Sequence, residues 1–165
     1  MSKEKAIIIF TVAIDVIGLG IIIPVLPVYV ESFGLSAFSV AILFSVYSFF
    51  SFLSAPFLGA LSDKIGRRPV LIGSILSTSI GWFIFALGTS MPLLLLGRII
   101  DGLAAGNIST AQSSISDISK DPKERASNLG TIGMIFGLGF VVGPFLGGTL
   151  THISNSFPFF FVATL

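Results

Sequence analysis

The 165 residues have a mean hydropathy of +1.02, are 53% hydrophobic and only 10% charged, and carry a net charge of +1. A soluble domain of this size carries about a quarter charged residues, so this chain lacks the groups to cover a water-facing surface and a bilayer is its expected solvent. Near-neutral charge gives no reason to expect a nucleic-acid partner, and the absence of cysteine excludes a disulfide framework and thiolate metal sites.

A transmembrane helix needs about 20 mostly apolar residues. Five stretches qualify, roughly residues 6–30, 38–61, 70–87, 91–115 and 126–150, and a sixth begins near residue 157 and reaches Leu165 before it crosses. The runs are too long for strands and lack two-residue alternation, which predicts an all-α polytopic bundle rather than a barrel. Met1-Ser2-Lys3-Glu4-Lys5 ahead of apolar residues has the outline of a signal peptide, but the apolar run is far longer than an h-region of about 7–15 residues. It reads as a retained first span. No linker or low-complexity segment divides the chain, so it is one domain or part of one.

In the first span, Asp15 falls about nine residues in, roughly 14 Å along a helix and near the bilayer midplane. Gly18, Gly20, Pro24 and Pro27 follow; proline removes a backbone hydrogen bond and exposes carbonyls that can line a cavity, although a merely bent helix is a fair alternative. Between the second and third spans lies Gly59-Ala60-Leu61-Ser62-Asp63-Lys64-Ile65-Gly66-Arg67-Arg68-Pro69-Val70. Its charges have few places to sit except a loop at the membrane boundary. Trp82, midway along the third span, reads as packing or lipid contact as readily as pocket lining.

The fourth span contains Arg98 and Asp101, one turn apart on one helical face. A charge at the midplane costs at least about 2.5–3.5 kcal/mol, so these groups and Asp15 must face protein or water. An acid held between desolvation and a nearby arginine can load and release a proton; a structural Arg98–Asp101 ion pair is the competing account. Asp121-Pro122-Lys123-Glu124 then supplies a cap, a proline at the first helical position and a carboxylate three residues past the cap. The fifth span has two small-residue rows, Gly133 with Gly137 and Gly139 with Gly143 and Gly147, each placed to admit a neighbouring helix, with Pro144 beside the second. His152 falls in a connection where a solvated histidine is the default.

Eight of the nine basic residues flank alternate connections: Lys3 and Lys5, then Lys64, Arg67 and Arg68, then Lys120, Lys123 and Arg125. The positive-inside rule puts these segments, and the N-terminus, in the cytoplasm. Paired catalytic carboxylates with a pocket histidine, metal-ligand spacing and a phosphate loop are all missing from the sequence, so no enzyme and no metal are expected.

These residues resemble the N-terminal half of a major facilitator superfamily transporter. Residues 59–70 resemble the signature loop after the second helix. Asp15-Val16-Ile17-Gly18-Leu19-Gly20 with Pro24 and Pro27 is similar to the first-helix motif of drug:proton antiporters. Residues 94–106 around Arg98 resemble their fourth-helix motif, and Gly139-Phe140-Val141-Val142-Gly143-Pro144-Phe145-Leu146-Gly147-Gly148 their fifth-helix motif. Tetracycline-efflux proteins are the nearest group.

The resemblance implies export of amphipathic drug-like molecules by substrate:proton antiport across a bacterial inner membrane, with the proton gradient in place of a cofactor. It implies that Gly59, Asp63, Gly66, Arg67, Arg68 and Asp117 belong to a cytoplasmic gate. Asp15, Arg98 and Asp101 would serve proton coupling and the central cavity, and Gly139, Gly143, Pro144, Gly147 and Gly148 would seal the fifth helix against leak. It implies partners in the lipid bilayer, a small amphipathic substrate and a C-terminal half absent from the chain, without which the Asp63–Arg67 latch is expected to have nothing to close on. Asp101 and Ala104 stand where the family usually has glutamine and glycine, and Gly81-Trp82 where tetracycline exporters carry an acid; these departures argue against tetracycline itself. A nutrient facilitator or symporter of the same fold, and a non-transporting truncated membrane protein, remain as alternatives.

Overall fold

A computed structural model describes residues 3–165; Met1 and Ser2, the start of the signal-peptide-like segment, lie outside the described residues. The described residues form seven helices: α1 (Lys3–Glu31), α2 (Ala37–Ile65), α3 (Arg67–Leu87), α4 (Met91–Leu103), α5 (Asn107–Asp117), α6 (Pro122–Thr151) and α7 (Phe157–Thr164). Five stretches are long and apolar enough to cross a bilayer: Lys5–Glu31, Ala37–Ile65, Arg67–Leu87, Met91–Asp117 and Pro122–Thr151.

Local chemistry sets the helix ends. Gly34 takes φ 73° and Gly66 φ 97°, left-handed values that glycine adopts without a Cβ penalty. Gly66 alone separates α2 from α3. Pro69, Pro92 and Pro122 fall in first turns, where the missing N–H has no helical acceptor to lose. The Asp121 side chain accepts the Glu124 N–H at 2.7 Å, and Glu124 Oε2 accepts the Lys120 N–H at 3.0 Å, so the cap read from sequence is present.

The fourth span, expected as one helix over residues 91–115, is two. A turn at residues 104–106 separates α4 from α5. Gly102 lies so close to α2 that a Cβ there would sit 2.8 Å from the Tyr47 carbonyl oxygen, and the Ser54 hydroxyl donates to the Gly102 carbonyl at 3.1 Å. The N–H groups of Ala104 and Ala105 turn to the carbonyls three residues back, both at 3.2 Å, and that of Gly106 to Ala104 O at 2.6 Å. The α-helical ladder of α4 ends there, beside this contact with α2.

The helices pack in a fixed pattern: α1 lies along α6, α4 against α2 and α3, and α7 against α3, while α5 touches α1, α3 and α6. Two apolar cores result. One, near the end bearing Tyr29, gathers Leu26, Leu43, Trp82, Phe85, Leu94 and Phe159; the other, toward the end bearing the basic loops, gathers Val12, Val16, Ala111, Ile115 and Ile132. The Tyr29 hydroxyl donates to Ala86 O at 3.0 Å and Gly88 O at 3.1 Å, closing the last turn of α3. Outside, Phe52 is 80% exposed and Val141 73% exposed, whereas Arg98, Asp101 and Asn128 are buried. Polar groups inside and aromatic ones outside is the distribution that a lipid solvent favours.

The seam between α1 and α6 is backbone on backbone. A Cβ on Gly143 would lie 2.5 Å from Gly20 Cα, one on Gly139 2.6 Å from Val16 Cγ1, and one on Gly147 2.8 Å from Ile21 O. The first row departs from the sequence expectation: Gly133 and Gly137, like Gly148, have nothing within 4 Å of a would-be Cβ, because α1 covers only one face of α6. Gly143→Ala should thus weaken the fold by about 1–3 kcal/mol, whereas Gly148→Ala should be neutral or stabilising by up to about 1 kcal/mol. Unfolding of each variant in a denaturing-detergent titration measures the difference.

Candidate functional site

Between the two cores lies a polar layer. Arg98 Nη1 and Asp101 Oδ2 on α4 are 3.0 Å apart, with the two residues 2% and 5% exposed. Thr78 of α3 lines the same cavity as Asp101. This meeting depends on two glycines: Cβ atoms on Gly81 and Gly97 would stand 2.9 Å from Gly97 O and 2.8 Å from Gly81 O. With the α3 and α4 backbones this close, Thr78 shares a cavity with the acid and Trp82 reaches the base.

Arg98 is boxed by rings. Its guanidinium carbon lies 4.4 Å from the Trp82 ring centre, 5.3 Å from Tyr47, 5.5 Å from Phe85 and 5.6 Å from Phe44. Its Nε makes no hydrogen bond among the described residues. Trp82, ambiguous in sequence, is 3% exposed and packs against Phe85 and Phe159. A cavity of about 90 Å³ beside this layer brings Asp15 of α1 together with Asp101, Tyr47, Thr78, Ser79 and Trp82, and Ile14, Leu19, Ile22 and Ile75 make its apolar walls. Asp15 and Asp101, 86 residues apart in sequence, thus face one space.

The first-helix residues divide. Gly18 packs on Val162 and Gly20 on Gly139 and Gly143, whereas Pro24 is exposed and Pro27 half-buried within a continuous α1. Pro144 is exposed and lies inside a continuous α6. His152 is exposed in the turn after α6.

At the basic end, Arg67 joins two acids. Its Nη1 is 2.7 Å from Asp63 Oδ1 and its Nε 3.1 Å from Asp117 Oδ2, while Nη1 also donates to the Ser62 hydroxyl at 2.6 Å. Asp63 and Arg67 are not on one helix; the Gly66 turn folds the start of α3 back so that they meet across it. Asp117 at the end of α5 is the partner within the chain that the resemblance implied for this cluster. Arg68 is exposed beside it, and Gly59 has open space where a Cβ would be. A second tie was not read from sequence: Arg125 Nε donates to Ser116 Oγ at 3.1 Å and Asn128 Nδ2 to Ser119 Oγ at 2.9 Å, pinning the start of α6 to the end of α5. A run of serines before a basic loop was its only signal. Among the described residues no group of three or more His, Cys, Asp or Glu side chains could hold a metal.

The fold and this buried layer are those of a polytopic α-helical membrane protein. Residues 8–165 match the model of the Major Facilitator Superfamily, and the chain belongs to that family. It is 38% identical over 167 residues to the tetracycline resistance protein, class H, of Pasteurella multocida, an alignment covering 99% of this chain and 41% of that protein. It is 32% identical over 166 residues to the quinolone resistance protein NorA of Staphylococcus aureus, covering 100% of this chain and 42% of that one. Among solved structures, the human organic anion transporter MFSD10 (TETRAN) superposes with a TM-score of 0.85 at 26% identity, over 99% of this chain and 46% of that one. The chain therefore spans less than half the length of these relatives.

Removing one member of a buried ion pair strands the other, at about 3–5 kcal/mol. Arg98→Met and Asp101→Leu should each cost this much, and the double variant should cost clearly less than the sum, as a double-mutant cycle on detergent unfolding measures.

Proposed function

We propose that the chain corresponds to the N-terminal half of a proton-driven secondary transporter that exports amphipathic drug-like molecules by alternating access. One observation carries the reading: two acids from separate helices line one small cavity within a membrane-spanning bundle, and one of them, Asp101, pairs with a buried arginine. The names of the two bacterial relatives, tetracycline and quinolone resistance proteins, support drug-like cargo, and the substrate site would form where two such halves meet.

In this reading the coupling ion is the proton, no metal or organic cofactor takes part, and the chain is not an enzyme. A proton on Asp15 or Asp101 changes the charge of a layer for which charge is expensive. Protonation biases the inward/outward equilibrium only through its different cost in the two states. Gly59, Asp63, Gly66, Arg67, Arg68 and Asp117 would form the cytoplasmic gate. Gly139, Gly143 and Gly147 of the α1–α6 seam, with Pro144 and Gly148 on the open face of α6, would keep protons and cargo from leaking past one another. Counting basic residues favours a bacterial inner membrane with the N-terminus in the cytoplasm.

The test uses everted vesicles from cells expressing the protein from its complete native reading frame, with ethidium as cargo and an imposed pH gradient. Asp15→Asn with Asp101→Asn should slow proton-driven efflux by roughly tenfold or more, while exchange of cargo at equal pH persists. Unchanged gradient-driven efflux in the double variant would refute the assignment.

A further inference from the structure

The Arg98 guanidinium has more around it than an ion pair requires. Asp101 engages it through Nη1 alone, Nε has no hydrogen bond among the described residues, and at 2% exposure no bulk water can replace a lost partner. Four rings from two other helices surround it: Phe44 and Tyr47 of α2, Trp82 and Phe85 of α3. We propose that this box, with Trp82 as its principal face, already shares the Arg98 cation with Asp101 and is the seat that retains it when the Asp101 carboxyl takes up a proton. Trp82 is then a positioning residue for proton coupling.

Magnitudes support the assignment. Stranding one charge of a buried pair weakens a fold by a factor of roughly several hundred or more. A desolvated cation–π contact is worth a factor of about thirty, with tryptophan the best face. Trp82 together with Tyr47 therefore supplies the right order of compensation, and the remaining two rings exclude water. The ionisable groups facing Arg98 are Asp101 on its own helix, the Tyr47 hydroxyl from α2 and, across the cavity, Asp15 from α1; α3 presents Thr78 and Trp82, neither of which titrates. Trp82 and Tyr47 also line the cavity, so a guanidinium shift toward the rings would alter the wall that cargo meets.

The inference rests on Asp101 as a proton-coupling acid, and the chain offers a probe independent of transport: Trp82 is its only tryptophan. With the purified 165-residue chain in lipid nanodiscs, Trp82 emission should show a single transition from neutral to acid pH. Asp101→Asn should abolish it and Asp15→Asn should retain it. A flat wild-type profile, or a transition that survives Asp101→Asn, overturns the proposal.

In the vesicle assay, with the complete reading frame, Trp82→Leu at normal membrane abundance should cut gradient-driven efflux about tenfold and change its pH profile, while Trp82→Phe, which keeps a ring, should stay within a few-fold of wild type. If Trp82→Leu overlays the wild-type pH profile while Asp101→Asn loses coupling, the retaining seat is wrong and the coupling reading stands. If Asp101→Asn itself leaves gradient-driven efflux intact, both fall.

Discussion

A guanidinium carried into a membrane-spanning bundle must find its counter-charge and its hydrogen bonds inside the protein, and the arrangement around Arg98 follows from that demand. The carboxylate comes from Asp101, one turn along the same helix. The other neighbours come from α2 and α3, and they reach Arg98 because Gly81 and Gly97 let the α3 and α4 backbones touch. A methyl group at either glycine would push Trp82 and Thr78 away from the pair they serve. The small residues of α3 and α4 are thus the condition for burying the charge, which is met by the inward-turned rings of Phe44, Tyr47, Trp82 and Phe85.

The same economy operates at the α1–α6 seam. Gly20 against Gly143, and Val16 against Gly139, bring α1 and α6 into backbone contact and hold Asp15 at the level of the Arg98–Asp101 layer. In lipid no hydrophobic force drives helices together, so dispersion at such short range carries the association. The turn at residues 104–106 lets one span serve both assemblies. Its α4 part packs on α2 and α3, and its α5 part reaches α1 and α6. A straight helix could not follow both, and non-helical backbone at this depth is tolerated because it is enclosed by protein and borders the cavity through Ala105.

Helix number, order and polarity of charge were legible from composition and apolar run length, since a bilayer demands long uninterrupted segments. The Arg98–Asp101 pairing was legible because i,i+3 spacing on a helix determines it. Spacing could not say which glycine row has a neighbour: the row of Gly133 and Gly137 has the same four-residue period as that of Gly139 and Gly143, yet only the latter meets α1. Nor could it reveal the break after Leu103, because Ala104 and Ala105 are good helix formers and nothing in the local sequence marks the neighbouring contact with Tyr47 and Ser54 on another span. Trp82 was ambiguous for the same reason. Its role depends on the side chain 16 residues later that the α3–α4 packing sets beneath it.

The two charge clusters differ in a way that suits different tasks. Asp63, Arg67 and Asp117 are partly open to water, with side-chain exposures of 64%, 28% and 59%, and ion pairs in such settings contribute only about 0–1 kcal/mol each. That cluster can open and re-form at little cost. The Arg98–Asp101 pair cannot, because separation without compensation strands a buried charge. Both acids that pair with an arginine on this path, Asp101 and Asp117, belong to the one span that is interrupted, with the turn between them. Any change in the angle between α4 and α5 therefore moves Asp117 relative to Arg67 while Asp101 keeps its place beside Arg98.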